Sequence, residues 1–212
     1  MNCLICSGET YPLKDKEISV IHHVCKTCGF TFKDPSCIQS FENERALYKN
    51  HQNTMENVGY VNMFERFLKA MIDPNINKVC ALDFGSGPGP VLYELLKTRG
   101  FESAHYDPYF NPDQAVLEKS YDLITSTEVF EHLSEPLKIF KQLESMLETG
   151  GYLGIMTSLR PSGDDAFLTW WYRRDKTHIG FFTEDTFKRL CEKTNLEFID
   201  TNHKNYFLFR KK

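Results

Sequence analysis

Two pairs of cysteines near the amino terminus have the spacing of a metal site. Each pair has the form Cys-x-x-Cys, and together they comprise Cys3, Cys6, Cys25 and Cys28. The two-residue gap lets both thiolates of one turn face a tetrahedral ion, and four thiolates are a common ligand set of structural zinc. Disulfides and unconnected thiols are the alternatives, and a reducing cytoplasm disfavours the disulfides. The pattern therefore predicts that these cysteines bind Zn²⁺.

A stretch of alternating glycines, ALDFGSGPGPV at residues 81–91, could hold a ligand against the backbone. Because glycine has no side chain, a bound molecule can approach the chain closely there. The glycines are Gly85, Gly87 and Gly89. Their spacing fits neither the G-x-G-x-x-G fingerprint of dinucleotide-binding proteins nor the Gly-Lys-Ser/Thr ending of a P-loop. The loop therefore indicates a ligand of another kind.

Two aspartates narrow the choice of ligand. Asp83 precedes the loop, where a carboxylate would repel a pyrophosphate and attract a cationic amino group. Asp107 ends the next predicted strand, where it could accept hydrogen bonds from both hydroxyls of a ribose. S-adenosylmethionine has a ribose and a cationic amino-acid part and carries no phosphate. We therefore expect S-adenosylmethionine as the cofactor.

The segment EVFEHL, residues 128–133, offers groups that could take a proton from a methyl acceptor. Glu131 and His132 follow a predicted strand, and Glu128 is expected one helical turn before His132. Methyl transfer needs an aligned nucleophile and often the removal of a proton, and an imidazole exchanges protons near neutral pH. The competing interpretation is that Glu131 and His132 only cap and orient the start of a helix.

The aromatic stretch Phe167–Thr183, FLTWWYRRDKTHIGFFT, is a second candidate for the acceptor side. His178 follows Asp175 by three residues, close enough for an orienting hydrogen bond. One interpretation is a hydrophobic lid packed on the core, and the other places His178 and an aromatic side chain in the acceptor pocket. Both can hold for different side chains of the stretch.

Alternating strands and helices must position these groups. The predicted strands are Val79–Phe84, one that leads to Asp107, Tyr121–Thr127, Tyr152–Thr157, Leu196–Thr201 and Tyr206–Arg210, the last two forming a hairpin. Three helices are predicted. The first begins at Pro90 and ends at Gly100, and the second covers Pro136–Leu147 and is stopped by Gly150-Gly151. The third begins at a Thr183 cap and runs to about Thr194. This order predicts an α/β fold with a mostly parallel sheet and an antiparallel C-terminal strand, and ligands at the carboxyl ends of the strands.

A helical segment precedes the strands. From about Phe41 to Ile72 the pattern becomes helical, and Pro74 closes it. One apolar face is formed by Tyr60, Phe64, Phe67, Leu68 and Met71. We expect this segment to connect the cysteine-rich part to the main domain and to cover the active site.

Composition excludes several classes of protein. The chain has 212 residues, 41% of them hydrophobic, with a net charge of −4. That charge argues against nucleic acid as a partner, and no apolar run approaches the roughly 20 residues that span a bilayer. The first residues include a cysteine pair instead of a signal sequence, so a cytoplasmic protein is expected. The oligomeric state stays open.

The combination of motifs is similar to class I S-adenosylmethionine-dependent methyltransferases. The resemblance rests on D-x-G-x-G-x-G at Asp83–Gly89, TEVFEHL at residues 127–133 and the Gly150-Gly151 turn, and it covers roughly residues 55–212. It implies a Rossmann-like methyltransferase fold. It also implies cofactor contacts by Asp83, Gly85, Gly87, Gly89, Asp107, Ser126, Thr127 and Glu128.

The resemblance also bears on the acceptor and the adenine. Related methyltransferases carry E-H-L/I and TH-x-x-F segments beside the acceptor pocket, which implies catalytic roles for Glu131, His132 and His178. The segment between Asp107 and Tyr121 is too short for the usual helix, strand and adenine-side acidic residue. We therefore expect the adenine pocket to come from Tyr109, Phe110 and Asn111.

Three parts and one leading function follow. We expect a zinc-ribbon-like module at residues 1–40, a helical linker or cap at 41–74 and the methyltransferase domain at 75–212. The leading hypothesis is methyl transfer to an oxygen, nitrogen or carbon nucleophile of a small molecule, such as a sugar or a quinol-like ring. The alternatives are a ribosomal-RNA base methyltransferase with a zinc ribbon and a non-catalytic zinc- and cofactor-binding module.

Overall fold

Two β-sheets and the helices around the larger sheet form the protein, whose computed structural model describes residues 1–38, 54–76 and 80–212. The strands are β1 Thr10–Asp15, β2 Val20–Cys25, β3 Thr31–Lys33, β4 Cys80–Phe84, β5 Glu102–Tyr106, β6 Tyr121–Thr127, β7 Leu147–Met156, β8 Gly180–Phe181, β9 Leu196–Thr201 and β10 Tyr206–Lys211. The α-helices are α1 Val58–Phe67, α2 Val91–Thr98, α3 Pro136–Met146, α4 Asp164–Thr169 and α5 Glu184–Cys191.

The larger sheet has the strand order β5-β4-β6-β7-β10-β9. Strands β5, β4, β6 and β7 are parallel to one another, whereas β10 runs antiparallel to both β7 and β9. The central strands are buried on both faces, which explains their continuous apolar runs. The predicted mostly parallel sheet with a reversed C-terminal strand is confirmed.

Helices cover both faces of this sheet. On one face, α1, the π-helical turn Leu68–Ile72 and α2 bury their apolar residues against the strands. On the other face, α3 and α5 do the same through Phe140 and Phe187. The predicted helix is confirmed over Val58–Ile72, while residues 41–53 of that prediction and Val79 of the first predicted strand lie outside the described residues.

Several predicted element boundaries differ from the structure. Helix α3 ends at Met146, and the glycine pair predicted to stop it lies inside β7. Leu147 turns directly into extended backbone because it pairs with Tyr121 of β6, and a register irregularity follows between Tyr121 and Leu123. Helix α5 has the predicted Thr183 cap, whose hydroxyl accepts from the Thr186 N–H, but it ends at Cys191 rather than near Thr194.

The smaller sheet joins the amino-terminal residues to a segment much later in the chain. Its order is β1-β2-β3-β8, so two residues from late in the sequence complete a sheet that begins near the amino terminus. The carbonyl of Cys28 accepts hydrogen bonds from the hydroxyls of Thr183 and Thr186. Residues 1–38 are therefore built into the segment around β8.

A buried ion pair strengthens the same junction. Arg173 is fully buried, and its Nε lies 2.7 Å from Asp15 Oδ2 at the end of β1.

Within the described parts of the chain, no helix has both the length and the apolar character needed to cross a membrane.

Candidate active site

The glycine loop follows β4 at the carboxyl edge of the larger sheet. The N–H groups of Gly85 and Ser86 both donate to the carbonyl of Tyr106, at the end of the neighbouring strand β5. Gly85 has φ +84, and a Cβ atom there would lie 2.2 Å from a methyl carbon of Val129. Only glycine fits this position, because any side chain would meet both a left-handed backbone and Val129.

Asp107 holds the other side of the loop. Its Oδ2 accepts from the Gly87 N–H at 2.8 Å, and its Oδ1 accepts from the N–H groups of Tyr109 and Phe110 at 2.8 and 3.0 Å. A carboxylate has about four acceptor positions, so Oδ2 keeps capacity for a ligand hydroxyl. Asp107 thus stabilises the loop and can still serve the ribose contact expected from the sequence.

Asp83 lies beneath the loop and is almost completely buried. The hydroxyl of Thr125 donates to its Oδ1 at 3.3 Å. Burial is the main reason that the pKa of Asp83 rises to about 7. A buried carboxyl that has no cation beside it is suited to a cationic group that would favour its charged form.

The cap helix α1 contributes Tyr60 to this side of the site. Burial raises the pKa of the Tyr60 phenol, and the negative charges of Asp83 and Glu128 raise it further, which places the phenol near both carboxyls. Sequence reasoning identified Tyr60 only as part of an apolar face. The signal that it carried was a hydroxyl among otherwise apolar positions.

The end of β6 supplies Ser126, Thr127 and Glu128. Ser126 Oγ is buried and has no hydrogen-bond partner within the described residues. Glu128 has φ +53, and its N–H donates to the carbonyl of Met156. The expected helical turn from Glu128 to His132 is therefore wrong: the chain makes a left-handed kink at Glu128, and only a short 3₁₀ turn, Phe130–His132, follows.

Burial raises the pKa of Glu128 well above its ordinary value, and the nearby carboxylate of Glu131 raises that pKa further.

Glu131, His132 and His178 converge beside this strand end. One ligand atom from each lies within 4.8 Å of the others. Glu131 is fully buried, and its Oε1 lies 3.9 Å from His132 Nε2. The two imidazole rings are 4.8 Å apart, at 70° to each other. The structure thus brings together all three residues that the sequence suggested as catalytic.

Backbone carbonyls set the proton positions of both imidazoles. Nδ1 of His132 contacts the carbonyl of Thr177 at 3.1 Å, and Nδ1 of His178 contacts the carbonyl of Tyr172 at 2.8 Å. Since a carbonyl oxygen only accepts, each Nδ1 is the donor, and each neutral ring carries its lone pair on Nε2. Burial lowers the pKa of His178, which favours this neutral form.

The expected hydrogen bond between His178 and Asp175 is wrong. Their closest atoms, Nε2 and Oδ2, are 3.8 Å apart, because Asp175 instead accepts from the N–H and hydroxyl of Thr177. Tyr172 orients His178 in its place, through its carbonyl and through its ring, whose centroid is 4.0 Å from the imidazole.

Tyr172 also binds the carboxyls of the site. Its hydroxyl donates to Glu131 Oε1 at 2.5 Å and lies 3.3 Å from Glu128 Oε2. Burial and both carboxylates raise the pKa of Tyr172, so the phenol stays protonated. The sequence pointed to the aromatic stretch but did not single out this residue.

The four cysteines of the Cys-x-x-Cys pairs form a compact cluster. All four sulfur atoms lie within 4.8 Å of one another; Cys3 Sγ is 3.7 Å from Cys28 Sγ, and Cys6 Sγ is 3.4 Å from Cys25 Sγ. Zinc–sulfur bonds of about 2.3 Å in a tetrahedron place sulfurs about 3.8 Å apart. Backbone N–H groups of Ile5, Thr27 and Cys28 point at the sulfurs of Cys3 and Cys25. The cluster has the size and donor groups of a four-thiolate metal site.

Comparison with known proteins identifies the class. Residues 51–201 match the sequence model of a methyltransferase domain family, and the chain belongs to that family. No curated protein matches the chain.

Two solved structures share the fold at low sequence identity. The N-methyltransferase NodS from Bradyrhizobium japonicum WM9, in complex with S-adenosyl-L-homocysteine, is 13% identical; the similarity covers 80% of this chain and 97% of NodS, with a TM-score of 0.52. An O-methyltransferase family 2 protein from Planctomyces limnophilus, in complex with apigenin, is 16% identical; the similarity covers 81% of this chain and 62% of that protein, with a TM-score of 0.51.

Family and fold define an S-adenosylmethionine-dependent methyltransferase of class I. The residues present fit this cofactor: Gly85 leaves backbone that a Cβ atom would block, Asp83 is a buried carboxyl without a cation, and Asp107 keeps acceptor capacity. Among the other expected contacts, Gly89 precedes α2, and Tyr109 is half-buried next to Phe110, with the two ring centroids 6.3 Å apart.

Proposed function

We propose that the chain transfers the methyl group of S-adenosylmethionine to an oxygen, nitrogen or carbon nucleophile of a small molecule. The observation that carries this proposal is the convergence of Glu131, His132 and His178 at the strand end that also carries Glu128. A methyl donor above the glycine loop and a proton acceptor beside it are the two parts that such a reaction requires. The fold neighbour in complex with apigenin supports a small molecule as the acceptor.

The cofactor supplies an electrophilic methyl group, and the chain's own residues bind and orient the reactants. In this proposal Gly85, Gly87 and Gly89 would leave room for the amino-acid part of the cofactor, and Asp83 would pair with its ammonium group. Asp107 accepts from the ribose, and Tyr109 packs near the adenine with Phe110 and Asn111. Ser126, Thr127 and Glu128 border the cofactor on the β6 side.

His132 is the proton acceptor of the proposal. Its Nδ1 is fixed by the carbonyl of Thr177, so Nε2 carries the lone pair, and its side chain is 15% exposed, compared with none of Glu131. A proton taken by Nε2 can therefore pass to solvent. Glu131 stabilises the imidazolium that forms, and His178 lines the proposed acceptor pocket beside them.

We also propose that Cys3, Cys6, Cys25 and Cys28 hold one structural Zn²⁺. The sulfur spacings and the N–H donors support this, and all seven cysteines, each within the described residues, are free of disulfides. Four free cysteines agree with a reducing compartment, so we place the protein in the cytoplasm. The division into residues 1–40, 41–74 and 75–212 stands as part of this proposal.

Calorimetry with S-adenosylmethionine and with S-adenosylhomocysteine tests the proposed cofactor site. We expect one molecule bound per chain and a loss of affinity of at least about tenfold in Asp107→Ala, because the carboxylate serves both the loop and the ribose. Absence of binding to folded wild-type protein would contradict the proposal. Salt-sensitive retention of structured RNA would instead favour a base methyltransferase.

A further inference from the structure

Two glutamates of the site contact the same hydroxyl group. The hydroxyl oxygen of Tyr172 lies 2.5 Å from Glu131 Oε1 and 3.3 Å from Glu128 Oε2. A phenol has one proton to donate, and the nearer oxygen, on Glu131, accepts it. Glu128 completes its own hydrogen bond by carrying a proton and donating it to the phenol oxygen. The donors therefore have one order, from Glu128 to Tyr172 and from Tyr172 to Glu131.

The charges around the two carboxyls favour the same single proton. Within the described residues, neither Glu128 nor Glu131 lies within ion-pair distance of a lysine or arginine; the ion pair of Glu131 is with His132, at 3.9 Å. Burial, and then repulsion from Glu131, raises the pKa of Glu128. Two carboxyls that interact this closely keep one proton between them at neutral pH. The pair therefore carries one negative charge.

Glu128 lies on the side of the glycine loop. It follows β6, which runs parallel to β4, and the next residue, Val129, packs so closely on Gly85 that a Cβ atom there would lie 2.2 Å from a valine methyl carbon. Tyr60 of α1 is buried near both Asp83 and Glu128, and their charges add to the effect of burial in raising the pKa of its phenol. Glu128 therefore lies between the proposed cofactor site and the proposed acceptor pocket.

The backbone at Glu128 is unfavourable for a glutamate. Its φ of +53 is in the left-handed region, which a residue with a Cβ adopts at a cost and which glycine or asparagine adopts more easily. Strained backbone of this kind is concentrated at functional sites. Local backbone preference therefore does not explain the glutamate, and its carboxyl group is the part that can have a role.

We propose that Glu128, Tyr172 and Glu131 form a proton relay that brings the single negative charge of the pair to the sulfonium side of the methyl donor. This rests on the proposed function and adds a device that distinguishes the donor from its product. S-adenosylmethionine has a positively charged sulfur, whereas S-adenosylhomocysteine has a neutral thioether. Both have the same ammonium group, so Asp83 does not distinguish them.

The relay conserves protons and charge. The O–H bond of Glu128 breaks as its proton passes to the oxygen of Tyr172, while the proton of Tyr172 passes to Glu131 Oε1. Glu128 becomes the carboxylate and Glu131 the protonated acid. Burial and both carboxylates raise the pKa of Tyr172, so the phenol is neutral before and after the transfer. The reverse transfer returns the negative charge to Glu131, beside His132, and no proton enters or leaves the protein in either direction.

Binding of three ligands to Glu128→Gln tests the charge. The ligands are S-adenosylmethionine, S-adenosylhomocysteine and sinefungin, an analogue with a protonated amine in place of the sulfonium. Calorimetry should show that the two cationic ligands bind about tenfold more weakly to the variant than to wild type, whereas S-adenosylhomocysteine affinity stays within about twofold. Retained S-adenosylhomocysteine binding also shows that the variant folds. Equal effects on all three ligands, or no effect, overturn the proposal.

Tyr172→Phe distinguishes a relay from simple ionisation of Glu128. In wild type, S-adenosylmethionine and S-adenosylhomocysteine should release equal numbers of protons, because the relay keeps its protons in the protein. In Tyr172→Phe, Glu128 must give its proton to solvent, so S-adenosylmethionine should release about one proton more than S-adenosylhomocysteine at about pH 6. Calorimetry in buffers of different ionisation enthalpy measures both numbers. A difference already present in wild type, or none in Tyr172→Phe, overturns the relay.

Glu135→Gln is the matched control. Glu135 is exposed at the start of α3, where it pairs with Lys138, and its replacement removes the same charge far from Tyr172 in the sequence. It should change neither the relative affinities of the three ligands nor proton release. A loss of cationic-ligand affinity equal to that of Glu128→Gln would assign the effect to net charge and overturn the proposal. Absence of S-adenosylhomocysteine binding to wild type contradicts the proposed function itself.

Discussion

The protonation state of Asp83, a single buried carboxyl, is expected to change when the cofactor binds. Its pKa of about 7 follows chiefly from burial, so it is mostly protonated below that pH in the free protein. A cationic amino group beside it would favour the carboxylate and lower its pKa. Cofactor binding and proton release should therefore be linked at this residue.

We predict that S-adenosylmethionine binding releases protons at about pH 6 and that affinity rises as the pH increases toward about 7. Calorimetry in buffers of different ionisation enthalpy measures the released protons. Asp83→Asn should reduce that release, because it removes the titrating group. Equal release by wild type and variant would contradict the role of Asp83.

Gly85 is a position where one methyl group should matter. In Gly85→Ala the new Cβ meets Val129 at 2.2 Å on a left-handed backbone. We predict a loss of about 1–3 kcal/mol in the free energy of unfolding and at least about a tenfold loss of cofactor affinity. Chemical denaturation and calorimetry measure the two effects.

The matched control for that substitution is Gly59→Ala in α1. There the nearest atom to a new Cβ, Asn57 Oδ1, is 3.5 Å away, and the helix favours alanine. We predict unchanged or slightly higher stability. If both variants behave alike, the close approach of Val129 does not explain the need for glycine.

At the scale of elements, local patterns predicted most of the larger sheet. Strands β4 and β6 are short apolar runs, and α1 shows a clear helical face, so each could be recognised from its own residues. The beginning of β7 at Leu147 could not, because it depends on pairing with β6 across the sheet. Strand β8 has only two residues and exists through its partner β3, far away in sequence.

The same limit applies to the site. The glycine loop and Asp107 each follow a strand of the parallel sheet. Their contact could be predicted, because the carboxyl ends of parallel strands lie at the same edge of the sheet. The roles of Tyr60 and Tyr172 could not be predicted from the sequence, because each depends on a helix or turn that folds back over carboxyls distant in sequence. Left-handed backbone at Glu128 also removed the helical turn that the sequence suggested.

Lys33 of β3 holds the loop that carries His178. Its Nζ donates to the carbonyls of Asp175 and Lys176, at 2.9 and 3.2 Å, and burial lowers its pKa to about 8. We predict that Lys33→Met speeds amide exchange over residues 175–181 and lowers methyl transfer about tenfold, because His178 loses its fixed position. Hydrogen-exchange mass spectrometry and an activity assay measure these changes.

Lys14→Met in β1 is the control, since Lys14 is exposed on the same sheet. It should alter neither exchange nor activity. Unchanged exchange in Lys33→Met would show that this loop is held by other contacts.

At the scale of the whole molecule, the cysteine cluster and the active site share a framework. Cys28 binds Thr183 and Thr186 through its carbonyl, and β8 pairs with β3 directly after the turn of the second Cys-x-x-Cys pair. The amino-terminal part of the chain therefore supports the segment that carries His178.

We predict one zinc ion per chain by elemental analysis, lost when Cys25 and Cys28 are both replaced by serine. Because metal binding stabilises a segment with little core of its own, the variant should unfold at lower temperature. Cys37→Ser is the control, as Cys37 lies outside the cluster, and it should retain the metal. A full complement of zinc in the double variant would refute the four-cysteine site.

A crystal structure of the complex with S-adenosylhomocysteine would test the proposed reaction most directly. We expect the homocysteine part at Gly85 and Gly87, the ribose hydroxyls on Asp107, and the sulfur facing the space between His132 and His178. A cofactor bound elsewhere, or a sulfur separated from both histidines by protein, would contradict methyl transfer at this site.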